Sequence, residues 1–433
     1  MIRAIIATSF LFVALVGCVD MHSEKSQLVS VDPQIREWTI AVYMAADNDL
    51  ESAAIQDLNE MEASIENGVT VVALLDRSDG YDGTNGNWDD SRLYQVEKDD
   101  SGLNGTIISR QLECPRLDLY LDRTTELNMA DPWVLEGFLE YVMEIYPARH
   151  TVLVIWGHGT GWRSTESIIN TTRAVAIDDT SGSYMRTSQL ESAVAGKGLS
   201  AIIFDTCFGS TVETVYQLAP HAQLLAGPAG LTPAAGLDYQ KVLETLTEGS
   251  DLTSLIQAVT ADNSNRDQGA KMSVIDTAKV QMLRDSVEEF AKTLANTITN
   301  RDERDRVLDT LLQDTRGYHH GSYPCDLFLD VADMAERFTG HGTATVAAGA
   351  KRLKAAVAGA VTTPTAAAGQ VGLHLIPLAG RSITATGHSQ EYVRGSGVTG
   401  QGRFVAESYG WAPTDGGAGG SLLDRLFYTT YGN

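Results

Sequence analysis

Two short apolar runs constrain this chain more than anything else in it. Thr151–Trp156 (TVLVIW) and Leu199–Phe204 (LSAIIF) are rich in branched residues and do not alternate with polar ones. Such runs predict strands covered on both faces, as in a parallel sheet with helices on each side. Each run stops at a reactive residue: Gly157-His158-Gly159 follows the first and Asp205-Thr206-Cys207 the second. In open α/β sheets the ligand crevice lies beyond the carboxyl ends of the strands. His158 and Cys207 are therefore expected to meet in space, the arrangement that a thiol nucleophile and its base require.

The surrounding sequence supports an α/β class. Trp38–Met44 reads as a strand and Ala45–Asp49 as a loop. From Leu50, apolar residues at helical spacing (Leu50, Ala54, Leu58, Met61) predict an amphipathic helix, and Val69–Leu75 is a second buried strand. This order implies a right-handed βαβ unit. Arg92–Val96 and Thr106–Leu112 form a predicted hairpin. Pro132–Tyr146 is a helix with Asp131 as N-cap. A short strand is expected at 174–177, a helix from Ser188 capped by Thr187, another over Thr211–Leu218, and strands at Ala222–Ala226, Met272–Ile275 and Val371–Pro377. Further helices are expected near 240–262, 277–300, 302–314 and 326–338. Beyond Gly380 the chain is Gly-rich.

The amino terminus reads separately. Arg3, then an apolar stretch from Ala4 to Leu15, then Leu15-Val16-Gly17-Cys18 resemble a bacterial lipoprotein signal cut before Cys18. On that reading residues 1–17 are a signal peptide and Cys18 is lipidated. Residues 18–37 are a tether reaching roughly 25 Å as a flexible coil, and 38–433 are the folded domain. The protein would then be held on a membrane at the bacterial cell envelope. The formal charge of −24 excludes duplex nucleic acid as an expected partner, because phosphate binding needs clustered Lys and Arg.

Cys207 is the expected nucleophile. Gly209, Ser210 and Thr211 are expected to open a helix behind it, whose N-terminal dipole would lower the thiol pKa. His158 lies between two glycines. Gly159 lets its N–H approach a substrate closely, and with the N–H of Cys207 it would form an oxyanion hole. With Cys18 and Cys207 so assigned, Cys114 and Cys325 remain, an even pair that permits one disulfide in an extracytoplasmic protein. No Cys-x-x-Cys or His-Glu-x-x-His pattern is present, so zinc is not expected and no metal is assigned. The loop Asp79–Asp90 offers oxygen ligands for Ca²⁺ but lacks the EF-hand order. A nucleotide-binding reading fails for want of Gly-x-Gly-x-x-Gly after the first strand.

These residues also carry a family resemblance. Trp38–Glu51 (WTIAVYMAADNDLE), Val152–Trp162 (VLVIWGHGTGW), Asp178–Gly182 (DDTSG), Ile203–Glu213 (IFDTCFGSTVE) and Val371–Pro377 (VGLHLIP) resemble the clostripain-family cysteine peptidases. That family stands within the group that includes gingipains, legumains and caspases. The resemblance implies a caspase-like, mostly parallel sheet flanked by helices, and an endopeptidase acting on protein or peptide substrates through His158 and Cys207. It makes Asp205 an acid of the S1 pocket for Arg or Lys, and Asp238 a second candidate. It implies self-cleavage between His and Cys, with Arg173 and Arg163 as the basic candidates. No cofactor is required for this chemistry. Ca²⁺, linked to clostripain, is admissible but has no motif here.

The resemblance breaks at Ala226-Gly227-Pro228 and Ala234–Tyr239, where the family's usual Glu and Trp are missing. That departure leaves two other readings: a surface-binding lipoprotein that keeps the fold without turnover, and a transpeptidase using the same thioester.

Overall fold

The computed structural model describes residues 35–159, 175–261 and 272–363, together with His374 and Leu375; position 67 and several short stretches between 298 and 326 are excepted. Cys18, Arg163, Arg173 and Cys325 lie outside the described residues, as do most of the expected strand at 371–377 and the termini.

The main strands of the described chain are β1 (Arg36–Ala46), β2 (Val69–Arg77), β3 (Ser91–Gln95), β4 (Arg110–Leu112), β5 (Ala148–Trp156), β6 (Val175–Asp178), β7 (Ser183–Met185), β8 (Leu199–Asp205), β9 (Ala222–Pro228) and β10 (Met272–Asp276); Gly317–His319, Leu327–Asp330 and His374–Leu375 form a small separate sheet. With the short strand Val361–Thr362, β1 to β5 and β8 to β10 form one nine-stranded sheet. Its order is Val361–Thr362, β10, β9, β8, β5, β1, β2, β3, β4. The five central strands are parallel, and the pairings outward from β9 and from β2 are antiparallel. β6 and β7 form a separate hairpin.

The unbroken apolar runs are explained by burial on both faces. On β1, Ala41, Tyr43 and Ala45 enter one core, while Trp38, Ile40, Val42 and Met44 enter the other. On β5, Leu153 and Ile155 face the first core, and Val152, Val154 and Trp156 the second. The first core is closed by α2 (Pro132–Ile145), α3 (Thr187–Val194), α4 (Val212–Leu218) and α7 (Val280–Ala295). The second is closed by α1 (Glu51–Ser64), α5 (Tyr239–Thr245) and α6 (Leu252–Val259). Polar ends of buried rings find partners: Trp38 donates to Ser250 at 2.8 Å, Tyr43 to the Met129 carbonyl at 2.8 Å, and Trp156 to Asp57 at 2.7 Å.

Several expected elements differ. The helix at 240–262 is two helices, because Asp251 caps a new start by accepting from Thr253 and Ser254, and Gly249 takes a left-handed conformation before it. The helix at 326–338 begins only at Val331, capped by Asp330, after a strand over Leu327–Asp330. A helix over Ala344–Ala360 has no counterpart among the expected elements. It is rich in Ala and Gly, and it is held by Val346, Ala350, Leu353 and Val357, buried at helical spacing. β1 starts at Arg36, within the segment read as tether, because Arg36 pairs with Ala148. Among the described residues no helix is long and apolar enough to cross a membrane.

Candidate active site

β5 and β8 are neighbours, and their register pairs Val152 with Ala201 and Trp156 with Asp205. Past the strand ends the segments after β5 and β8 still run against each other, with Gly159 on the Cys207 turn. Two glycines permit the approach. Gly157 has a φ of 134°, and a Cβ on it would lie 2.8 Å from the Ala45 carbonyl oxygen. Its N–H donates to the Asp205 carbonyl at 3.3 Å. A Cβ on Gly159 would lie 2.6 Å from the Cys207 carbonyl oxygen and 2.7 Å from the Thr206 side chain, so only glycine fits against the thiol-bearing turn. Gly159 also pairs antiparallel with Val175 of β6.

The Cys207 turn is stitched to the segment after β9. Phe208 is buried in the left-handed region at φ 59°, unfavourable for a bulky side chain, and its N–H donates to Gly230 at 2.9 Å. Ser210 bonds Pro228 and Gly227 through its N–H and hydroxyl. The Thr232 N–H donates to Cys207 Sγ at 3.3 Å. The expectation of a helix-lowered thiol pKa is overturned. α4 starts only at Val212, with Thr211 as its cap. Burial pushes the Cys207 thiol up and the nearby Asp205 charge adds to it, against the lowering bond from Thr232.

His158 is held differently. Its Nε2 lies 2.6 Å from Asp49 Oδ1, and both side chains are well exposed. Asp49 and Thr232 join the site only through the tertiary structure: Asp49 lies within the stretch Trp38–Glu51 that carries the resemblance, and nothing in spacing singles out Thr232.

The two acids expected at the specificity pocket are placed as follows. Asp205 is buried at the end of β8 and accepts from the Leu237 N–H and the Tyr239 hydroxyl, both at 2.9 Å. Asp238 caps α5 by accepting from the Lys241 N–H at 2.8 Å. Both thus hold the segment where the resemblance breaks. Cys114 is buried in the first core, and its expected partner Cys325 is not among the described residues. In the loop read as a Ca²⁺ candidate, Asp82 accepts from Thr84 and faces Arg77, so this part of the loop is tied down by protein groups.

Residues 42–357 match the sequence model of the clostripain family of peptidases. The chain belongs to this family. Clostripain of Hathewaya histolytica is 27% identical over 230 residues, which cover 49% of this chain and 42% of clostripain, so the match spans less than half of that relative. Two solved structures share the fold. A secreted C11 cysteine protease from Bacteroides thetaiotaomicron, in complex with an irreversible peptide inhibitor, superposes with a TM-score of 0.56 at 20% identity, covering 79% of this chain and 92% of that one. An inactive zymogen C11 protease from Parabacteroides distasonis gives 0.60 at 19% identity, covering 83% and 97%. The mostly parallel, helix-flanked sheet expected from the sequence is therefore the family fold.

Proposed function

We propose that this chain is a cysteine endopeptidase in which Cys207 is the nucleophile and His158 moves the proton. The observation that supports the reading is the β5–β8 pairing, with His158 and Cys207 each two residues beyond its last pair, Trp156 and Asp205, and Gly159 resting on the Cys207 turn. Because burial holds the thiol in its neutral form, His158 takes the Sγ proton as the substrate arrives, and Sγ attacks the scissile carbonyl carbon. The N–H groups of Gly159 and Cys207 receive the developing oxyanion. The imidazolium returns the proton to the leaving amine, and water then hydrolyses the thioester. Asp49 orients the ring through its bond to Nε2.

The substrate class is a peptide or protein with Arg or Lys at P1. Asp205 supplies negative potential beneath the thiol turn, and Asp238 lies on the wall that Asp205 anchors. Maturation is self-cleavage after Arg173 or Arg163, in the segment joining Gly159 to β6. Lipidation at Cys18 holds the enzyme on the outer side of a bacterial membrane, with residues 18–37 as tether.

The purified protein, incubated with a peptide library, is expected to cut after Arg and Lys, with loss of at least about 10³-fold in Cys207→Ala and in His158→Ala. Retained cutting in Cys207→Ala overturns the nucleophile, and preference for an uncharged P1 overturns the role of the two acids. Intact masses of wild type and Cys207→Ala test maturation: equal cleavage in both excludes self-processing.

A further inference from the structure

The acid assigned to P1 sits behind a segment of its own chain. Side chains alternate along a strand, so Asp205 leaves the end of β8 on the face of Ala201 and Ile203, over the second core where α5 packs. It is 5% exposed there. Three groups of the segment Gly236–Tyr239 surround its carboxylate. The Leu237 N–H donates to Oδ1 and the Tyr239 hydroxyl to Oδ2, both at 2.9 Å. Gly236 faces both oxygens: a Cβ on it would lie 2.6 Å from Oδ1, 2.7 Å from Oδ2 and 3.0 Å from Cγ. That point is nearly equidistant from the two oxygens and farther from the carbon. It therefore stands in front of the carboxylate fork, where a bidentate guanidinium would bind.

The segment is fixed in this position. Gly236 takes a left-handed φ of 46°, and its N–H donates to the Pro233 carbonyl at 2.9 Å. Asp238 caps α5, whose first residue is Tyr239. The Tyr239 ring is buried in the second core and lines a small apolar cavity with Val42, Val154, Ile203 and Val242, so its hydroxyl is the polar end that turns to Asp205. Burial first, then the Asp205 charge, push that hydroxyl well above the usual phenol range, so it stays a donor at working pH. The charge of Asp205 is nevertheless felt at the reaction centre, where burial first and this charge with it push the Cys207 thiol up.

Charge and shape are thereby separated. An Arg that forks onto a carboxylate needs both oxygens presented to it. A cation in the field of a buried carboxylate needs only its charge, because a low dielectric carries that field over several ångströms. On the reading of Asp205 as the P1 acid, we propose that Gly236 and Tyr239 are positioning residues that close its fork to substrate, so that P1 is selected by positive charge and not by bidentate contact. The substrate class then extends from Arg and Lys to Arg methylated on its guanidinium, a modification that keeps the charge and blocks the fork. Tyr239 sustains the selection, since without its hydroxyl the buried Oδ2 has one donor fewer and the charged form of Asp205 is less favoured.

The test uses peptides identical except at P1, which is Arg, Lys, asymmetric dimethylarginine or citrulline, with the purified protein. The three cations are expected to be cut with kcat/KM within about tenfold of one another, and citrulline, which has the shape of Arg without its charge, at least about tenfold more slowly than the slowest of them. Dimethylarginine cut more than about tenfold more slowly than Arg overturns the closed fork and leaves the P1 acid standing. Citrulline cut as readily as Arg overturns instead the P1 reading on which the proposal rests. Tyr239→Phe keeps the ring and deletes the hydroxyl. It is expected to raise KM for the Arg and Lys peptides at least about threefold, with kcat and the cutting of citrulline unchanged. Tyr43→Phe deletes an equally buried hydroxyl, which donates to the Met129 carbonyl in the other core, and is expected to leave all four peptides unchanged. An unaltered KM in Tyr239→Phe, or the same rise in Tyr43→Phe, overturns the positioning role. Should Tyr239→Phe fail to fold, the dimethylarginine peptide with wild type decides.

Discussion

Asp76 and Arg77 are adjacent on β2, point to opposite faces of the sheet and are both buried, yet their charges are handled in opposite ways. Arg77 is fully furnished from within the chain. Its Nε is 2.5 Å from Glu51 Oε1, its Nη2 donates to the Asp82 carbonyl at 2.6 Å, and its guanidinium lies 4.6 Å from the Trp88 ring centre. Glu51 in turn accepts the Asp82 N–H at 2.6 Å. Asp76 has one hydroxyl donor and otherwise faces three more acids. The first arrangement is complete as folded. The second leaves Asp76 Oδ2 buried without a hydrogen-bond partner among the described residues, so the two faces of the strand end carry their charges at different cost.

The comparison breaks most visibly at Glu51. Glu51→Ala leaves the Arg77 guanidinium buried without its carboxylate, and a loss of about 3–5 kcal/mol is expected in urea unfolding; a loss below about 1 kcal/mol would show that Arg77 is not held as a buried pair. Asp76→Asn sharpens the other side because it removes a repelling charge without loss of shape. In urea unfolding the variant should be no less stable than wild type. A loss above about 1 kcal/mol would mean that Asp76 matters chiefly as the acceptor of the Ser91 hydroxyl. The smallest effect is expected at the exposed pair. Asp49→Ala should change stability by less than about 1 kcal/mol, while lowering kcat severalfold through the loosened His158 ring. An unchanged kcat would remove Asp49 from the positioning role.

Much of the frame was legible because burial on both faces leaves a simple mark. The runs at β1, β2, β5 and β8 have no polar residue on either face over several positions, which only a covered parallel strand tolerates. The cap at Asp131 was legible for an equally local reason, since its side chain bonds the Trp133 N–H two residues on. The helix over Ala344–Ala360 escaped because Ala is weakly apolar and Gly lowers helix propensity, so its buried stripe rests on only a few large side chains. The Cys207 environment was misread for another reason. Gly-Ser-Thr after the strand resembles a helix start, but the turn around Phe208 delays the helix and leaves burial to act on the thiol.

By itself the sequence determined which strands lie inside the sheet and that a His and a Cys stand at the ends of two of them. Hydrophobic period and residue type are local properties, and both are read within a few positions. Only the tertiary structure decided that β5 and β8 are neighbours, with Trp156 opposite Asp205, because apolar strands accept many pairings until the helices and glycines choose one. It alone decided, too, that four acids from separate segments converge, Asp47, Asp76 and Asp178 buried and Glu126 exposed. Taken singly in the sequence, each is an ordinary solvated charge. The cost of burying like charges together exists only once the segments that carry them have converged.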